Sequence, residues 1–147
     1  MTVQMPKLKH ATLSDVGMKR LSNEDAACCD EQMSLFVVCD GLGGRPSGEA
    51  ASHIICCTLG HLIRRKLRQL KTIDAEVLCG VLKQCATQMS DELYEQAHAC
   101  PALVGMGATL VSALIDGDTA FLLNAGDSRA YRLRDDQLEQ LSHRSEE

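Results

Sequence analysis

The segment Leu35–Cys39 (LFVVC) is apolar without a break and runs directly into Asp40-Gly41-Leu42-Gly43-Gly44. A short continuous apolar run of this kind suits a strand buried on both faces. The glycines stop it and permit positive φ. A strand buried on both sides needs cover, and the chain supplies it next. From about Gly48 to Leu70, apolar residues fall at positions 50, 51, 54, 55, 59, 62, 63, 67 and 70, one stripe at helical spacing. Pro46 and Ser47 suit its entrance. Arg64, Arg65, Lys66, Arg68 and Lys71 crowd its end, where they complement the helix dipole.

A second helix fits from Thr72 or Asp74 to His98, with Val77, Leu78, Val81, Leu82, Cys85, Met89, Leu93 and Ala97 as its stripe. The short join predicts an antiparallel helical pair. Ala108–Ile115 and Thr119–Asn124 flank Asp116-Gly117-Asp118, a hairpin pattern. Ala130–Arg134 and Gln137–Leu141 flank Asp135-Asp136, a second turn. The spacing predicts a β-meander after the helices. Ala11–Ser14 and Ala26–Cys29 are further short strand candidates. The order is α+β, with no regular βαβ alternation.

The 147 residues suit one domain. Aromatic residues are 3% with no Trp, which argues against base-stacking platforms, and a net charge of −5 argues against a DNA-coating protein. Of the eight cysteines, none forms a C-x-x-C pair and most lie in apolar runs, so they read as free structural thiols in a reducing cytoplasm. No signal peptide is expected at the N-terminus. The most apolar helical run, Ile54–Ile63, is about half of the ~20 residues a membrane span requires.

Three clusters carry chemistry. Asn23-Glu24-Asp25 begins a strand, Asp40-Gly41 ends one, and Gly126-Asp127-Ser128-Arg129 interrupts the meander. Carboxylates at strand ends are aimed by a rigid scaffold, and hard cations such as Mg²⁺ or Mn²⁺ take oxygen ligands of this type. Arg20, four residues before Glu24, could grip a phosphate with paired hydrogen bonds. Singly, each pattern is weak: Asp-Gly pairs are usually turns, and an Arg near acids is usually a surface ion pair. The glycine runs match neither the P-loop nor G-x-G-x-x-G.

In order, however, TLSDVGMKRLSNEDA, LFVVCDGLGGRPSGEAAS, GMGATLVSALI and AFLLNAGDSRAYRL resemble the PPM (type 2C) family of metal-dependent protein serine/threonine phosphatases, in its bacterial branch. The likeness runs from about Lys9 to Ser142. It implies an α-β-β-α sandwich, two antiparallel sheets flanked by antiparallel helical pairs, formed by one domain over residues 1–147. It implies two Mn²⁺ or Mg²⁺ ions and hydrolysis of phosphoserine or phosphothreonine by a metal-activated water. Asp40 would bridge the metals, and the Gly41 carbonyl would coordinate one. Glu24 matches the acid on that metal's side, Asp25 supports the cluster, and Asp127 matches an acid of a further, weaker metal. Arg20 matches the arginine that holds the substrate phosphate. The implied partners are phosphorylated Ser/Thr proteins, opposite a Ser/Thr kinase, with neither nucleic acid nor membrane.

The chain departs from the family pattern in places. Leu42 stands where Met is common, and Ala108 replaces a small hydroxyl residue beside Thr109. The later Ser-Asp-Gly strand and Asp-Asn motif have no match, so the domain is expected to be C-terminally incomplete and its activity reduced or absent. The alternative is a non-catalytic phosphoprotein-binding or regulatory module of the same fold. A nucleic-acid or acidic-lipid surface on residues 64–71 is a further alternative, against the plainer reading of a solvated helix end.

Overall fold

The computed structural model describes residues 8–44 and 47–143. Pro46, expected at the helix entrance, lies outside them. Strands β1 (Asp25–Asp30) and β2 (Leu35–Leu42) form an antiparallel hairpin. Helices α1 (Ser47–Leu67) and α2 (Ala75–Ala99) follow. After a single 3-10 turn at Pro101–Leu103 come β3 (Gly107–Ala108), β4 (Leu110–Asp116), β5 (Thr119–Ala125), β6 (Tyr131–Arg134) and β7 (Gln137–Gln140). The main sheet runs β1-β2-β4-β5, with β3 also paired to β2. All pairings are antiparallel. The α+β order is therefore as the sequence implies, with one helical pair and two sheets among the described residues.

The core lies between the sheet and the helices. Leu35, Val37 and Cys39 of β2 point toward α1, where Ala51, Ile55, Leu59, Leu62 and Ile63 meet them. α2 closes the layer with Leu78, Val81, Leu82, Cys85, Met89, Leu93 and Ala97. These α2 residues repeat at three and four positions because that spacing keeps one face inward. Asp74 caps α2: its carboxylate accepts a hydrogen bond from the Val77 N–H at 2.9 Å, which satisfies an orphan donor of the first turn. Arg64, near the end of α1, pairs with Asp30 at the end of β1, pinning the helix to the sheet.

Four expectations are corrected. Ala11–Ser14 forms no strand; it holds on through the Asn23 side chain, which donates to Ser14 Oγ at 2.6 Å. α1 ends at Leu67 rather than Leu70. The third-part strands are not one meander: β6 and β7 form a separate hairpin that does not pair with β5. Its turn residues Asp135 and Asp136 both have positive φ (50° and 59°), the conformation a tight two-residue hairpin requires. Finally, the strand expected at Ala108–Ile115 breaks at Thr109 into β3 and β4.

Candidate active site

Side chains alternate along a strand, so β2 has two faces. Leu35, Val37 and Cys39 take the helix side, and Phe36, Val38, Asp40 and Leu42 take the other. Asp40 therefore emerges on the face without helices, near the end of its strand. In the β1–β2 register Asp25 lies directly opposite Asp40, and directly opposed residues project to the same side. Two carboxyl groups are brought together by register alone.

Asp25 is set at the head of β1 by Asn23, whose Oδ1 accepts from the Asp25 N–H at 3.0 Å. The Asp40 carboxyl is held above the ordinary carboxylate range. Partial burial is the largest cause; the charge of Asp25 and a hydrogen bond with it come next. Arg20 pulls in the opposite direction, and Asp127 adds a further push. Arg20, Asp25 and Asp127, three of the residues singled out in the sequence, thus act on Asp40 electrostatically.

Glu24 and Gly41 join the site differently. The Gly41 N–H donates to the Glu24 carbonyl at 3.2 Å. Gly41 is buried where β2 meets the start of α1. A Cβ there would lie 2.6 Å from the Glu24 carbonyl and would collide with the Gly48 carbonyl. Only glycine admits this approach. Gly48 in turn leaves room for the Glu24 carboxylate against the first turn of α1, where the helix dipole favours an anion. Glu24 is thus placed at the helix start, with its backbone holding Gly41.

The donor set fits a hard divalent cation in kind: carboxylates and backbone carbonyls, with an acid pair whose mutual repulsion a cation would relieve. In number it is sparse. Among the described residues, no three His, Cys, Asp or Glu side chains gather closely enough to cage a metal ion.

Two contributors were not singled out in the sequence as site residues. Thr109 Oγ1 accepts from the Asp40 N–H at 3.0 Å and shares a 2.6 Å hydrogen bond with Ser128 Oγ. The available signal was the hydroxyl residues in the otherwise apolar run 108–115, Thr109 and Ser112, of which only Thr109 makes such a bond.

A family model described as Protein phosphatase 2C matches residues 18–147. The chain belongs to the protein phosphatase 2C family. Its curated relatives are named serine/threonine protein phosphatases. The serine/threonine protein phosphatase PstP of Mycobacterium tuberculosis is 34% identical over 137 residues, which cover 92% of this chain and 24% of PstP. The chain therefore spans about a quarter of that relative's length. Among solved structures, PppA, described as a key regulatory component of T6SS in Pseudomonas aeruginosa, aligns with a TM-score of 0.76 at 34% identity. That alignment covers 91% of this chain and 56% of PppA. The catalytic domain of PstP in complex with two manganese ions aligns with a TM-score of 0.73 at 32% identity, covering 88% of this chain and 53% of that domain. The phosphatase 2C relatives thus support a divalent-metal requirement in the family.

Proposed function

We propose that this chain carries the Asp25–Asp40 side of a phosphatase 2C site for phosphoserine and phosphothreonine proteins, as part of a single phosphatase domain. The observation that carries the reading is the Asp25–Asp40 pair, opposed in register on the helix-free face with Arg20 acting on it. Asp40, Asp25 and the Gly41 carbonyl would hold Mn²⁺ or Mg²⁺, with Glu24 behind them and Asp127 at a further, weaker position. Divalent ions bound there would lower the pKa of a water and neutralise charge on the transferring phosphoryl group.

The protein's own residues do the rest. Arg20 offers a planar pair of donors to a phosphate, anchoring the substrate beside the acids. The Gly41–Gly48 approach fixes the strand end against α1, so Asp40 cannot drift. A cytoplasmic setting opposite a Ser/Thr kinase belongs to the same proposal, and eight unpaired cysteines support a reducing compartment.

The test is Mn²⁺ binding by the 147-residue chain together with Mn²⁺-dependent release of phosphate from a phosphothreonine peptide, a release expected to be slow because the donor set is sparse. Asp40→Asn is expected to lower the rate by about a hundredfold or more, and Arg20→Ala to raise KM. Release that survives both chelation and Asp40→Asn would contradict the reading. One observation favours a second possibility, a non-catalytic phosphoprotein-binding module: no three acids are gathered among the described residues. Such a module would bind the peptide without metal, keep binding as Asp40→Asn, lose it as Arg20→Ala, and release no phosphate.

A further inference from the structure

Within β2 and its neighbours, Asp40 and Thr109 face each other, since Gly41 pairs with Ala108 and Val38 with Val111. An opposed hydrogen-bonded pair in an antiparallel ladder normally exchanges two N–H···O=C bonds. Only one is made here: the Thr109 N–H donates to the Asp40 carbonyl at 2.8 Å. The Asp40 N–H turns instead to the Thr109 side chain, donating to Oγ1 at 3.0 Å. This substitution accompanies the break between β3 and β4. Thr109 thereby takes both backbone polar groups of Asp40.

The same hydroxyl reaches outward. Thr109 Oγ1 shares a 2.6 Å hydrogen bond with Ser128 Oγ, the residue after Asp127. The Thr109 methyl group seats the residue on the other side of Asp127. Gly126 has φ of +100°, and a Cβ on it would lie 2.8 Å from Thr109 Cγ2. One buried threonine, 3% exposed, therefore touches Asp40 on one side and both chain neighbours of Asp127 on the other.

We propose that Thr109 is a positioning residue that sets the placement of Asp127 relative to Asp40, through Asp40 N–H, Thr109 Oγ1 and Ser128 Oγ. Its effect on a cation rests on the phosphatase reading above; the mechanical link does not. Side chains that hydrogen-bond to metal-holding residues orient them.

The test uses the 147-residue chain, its amides followed by NMR, with a parallel Mn²⁺ titration. Thr109→Val keeps the methyl contact and removes the hydroxyl. It should speed hydrogen exchange at the Asp40 amide by about tenfold and shift the amides of Gly126, Asp127 and Ser128 together. Thr109→Ser keeps the hydroxyl and should leave the Asp40 and Ser128 amides near wild type, with a shift confined to Gly126, which loses its methyl contact. Ser128→Ala should move the 126–128 amides while Asp40 stays protected, and it carries the test if Thr109→Val does not fold. Mn²⁺ affinity should fall about tenfold in Thr109→Val and recover in Thr109→Ser, even though the serine variant, short of one buried methyl, melts somewhat lower. If Thr109→Val folds and leaves Asp40 and the 126–128 amides unmoved, the link is overturned; if Ser128→Ala leaves the loop unmoved, it is overturned equally. If the amides respond as expected but wild type and Asp40→Asn bind Mn²⁺ alike, the link stands and the cation reading fails.

Discussion

The two faces of the main sheet differ sharply. On the helix side Leu35 and Val37 are each 2% exposed, and Cys39 is fully enclosed. On the other face Val38 is 50% exposed and Leu42 54%, in the same strand and of the same apolar character. Phe36 there is covered only in part, by the His10 ring at a centroid distance of 5.7 Å. The helix side is a finished core. The opposite face is apolar, largely uncovered, and carries Asp25 and Asp40. The packed core and the opposed acids thus lie on opposite sides of one strand, and the side chains alternate between them one residue at a time.

The sharpest way to break this contrast is a matched pair of truncations. Leu35→Ala removes a large enclosed side chain and should cost about 2–5 kcal/mol in denaturant unfolding. Val38→Ala, three residues on, should cost under about 1 kcal/mol, because half its surface is already in water. Similar losses at the two positions would mean that the open face is covered after all. A smaller effect is expected where the faces meet. Gly41→Ala forces a Cβ into the backbone of Glu24 and Gly48 and should destabilise by about 1–3 kcal/mol. Leu42→Ala beside it should be nearly silent.

The mildest probe is chemical. The Cys56 thiol, between α1 and the sheet, is pushed up to about 12: the neighbouring Cys28 thiol lowers it, but Cys39 and burial outweigh that. The Cys28 thiol is likewise raised, first through its hydrogen bond with Cys56 and then by burial. Alkylation requires the thiolate, which forms only as pH approaches the thiol's own pKa. Iodoacetamide at pH 8 should label exposed Cys57 and Cys79, and spare Cys28 and Cys56 for want of thiolate and Cys39 and Cys85 because they are buried, as read by peptide mass spectrometry. Rapid labelling of Cys56 would show that the helix layer opens readily.

What was legible in the sequence followed from local physics. The α2 stripe is written in residue spacing and is present; of the two starts the sequence offered, Thr72 and Asp74, the helix uses Asp74, whose carboxylate caps it. The Asp116-Gly117-Asp118 turn is equally local, with Gly117 supplying a positive φ of 57° between β4 and β5. The residues acting on Asp40 were also named, because the acidic clusters sit at strand ends. The misses share a different cause. Ala11–Ser14 has strand character but is held through the Ser14 side chain, with no ladder pairing among the described residues, and β propensity acts only through pairing. The break at Thr109 depends on a side-chain hydroxyl replacing a carbonyl across two strands distant in sequence. No window of neighbouring residues contains that choice. The separation of β6–β7 from β5 is likewise a matter of where the chain turns after Gly126.

The proposed site turns on Asp40 as the acid around which a divalent cation would be held on the open face. Calorimetric titration of Mn²⁺ into the 147-residue chain and into its Asp40→Asn variant tests this most directly. Asp40→Asn is expected to lose more than the roughly tenfold in affinity that losing a residue which only orients a ligand would cost, with the melting temperature of the metal-free proteins little changed. Equal Mn²⁺ affinity in the two proteins would contradict it.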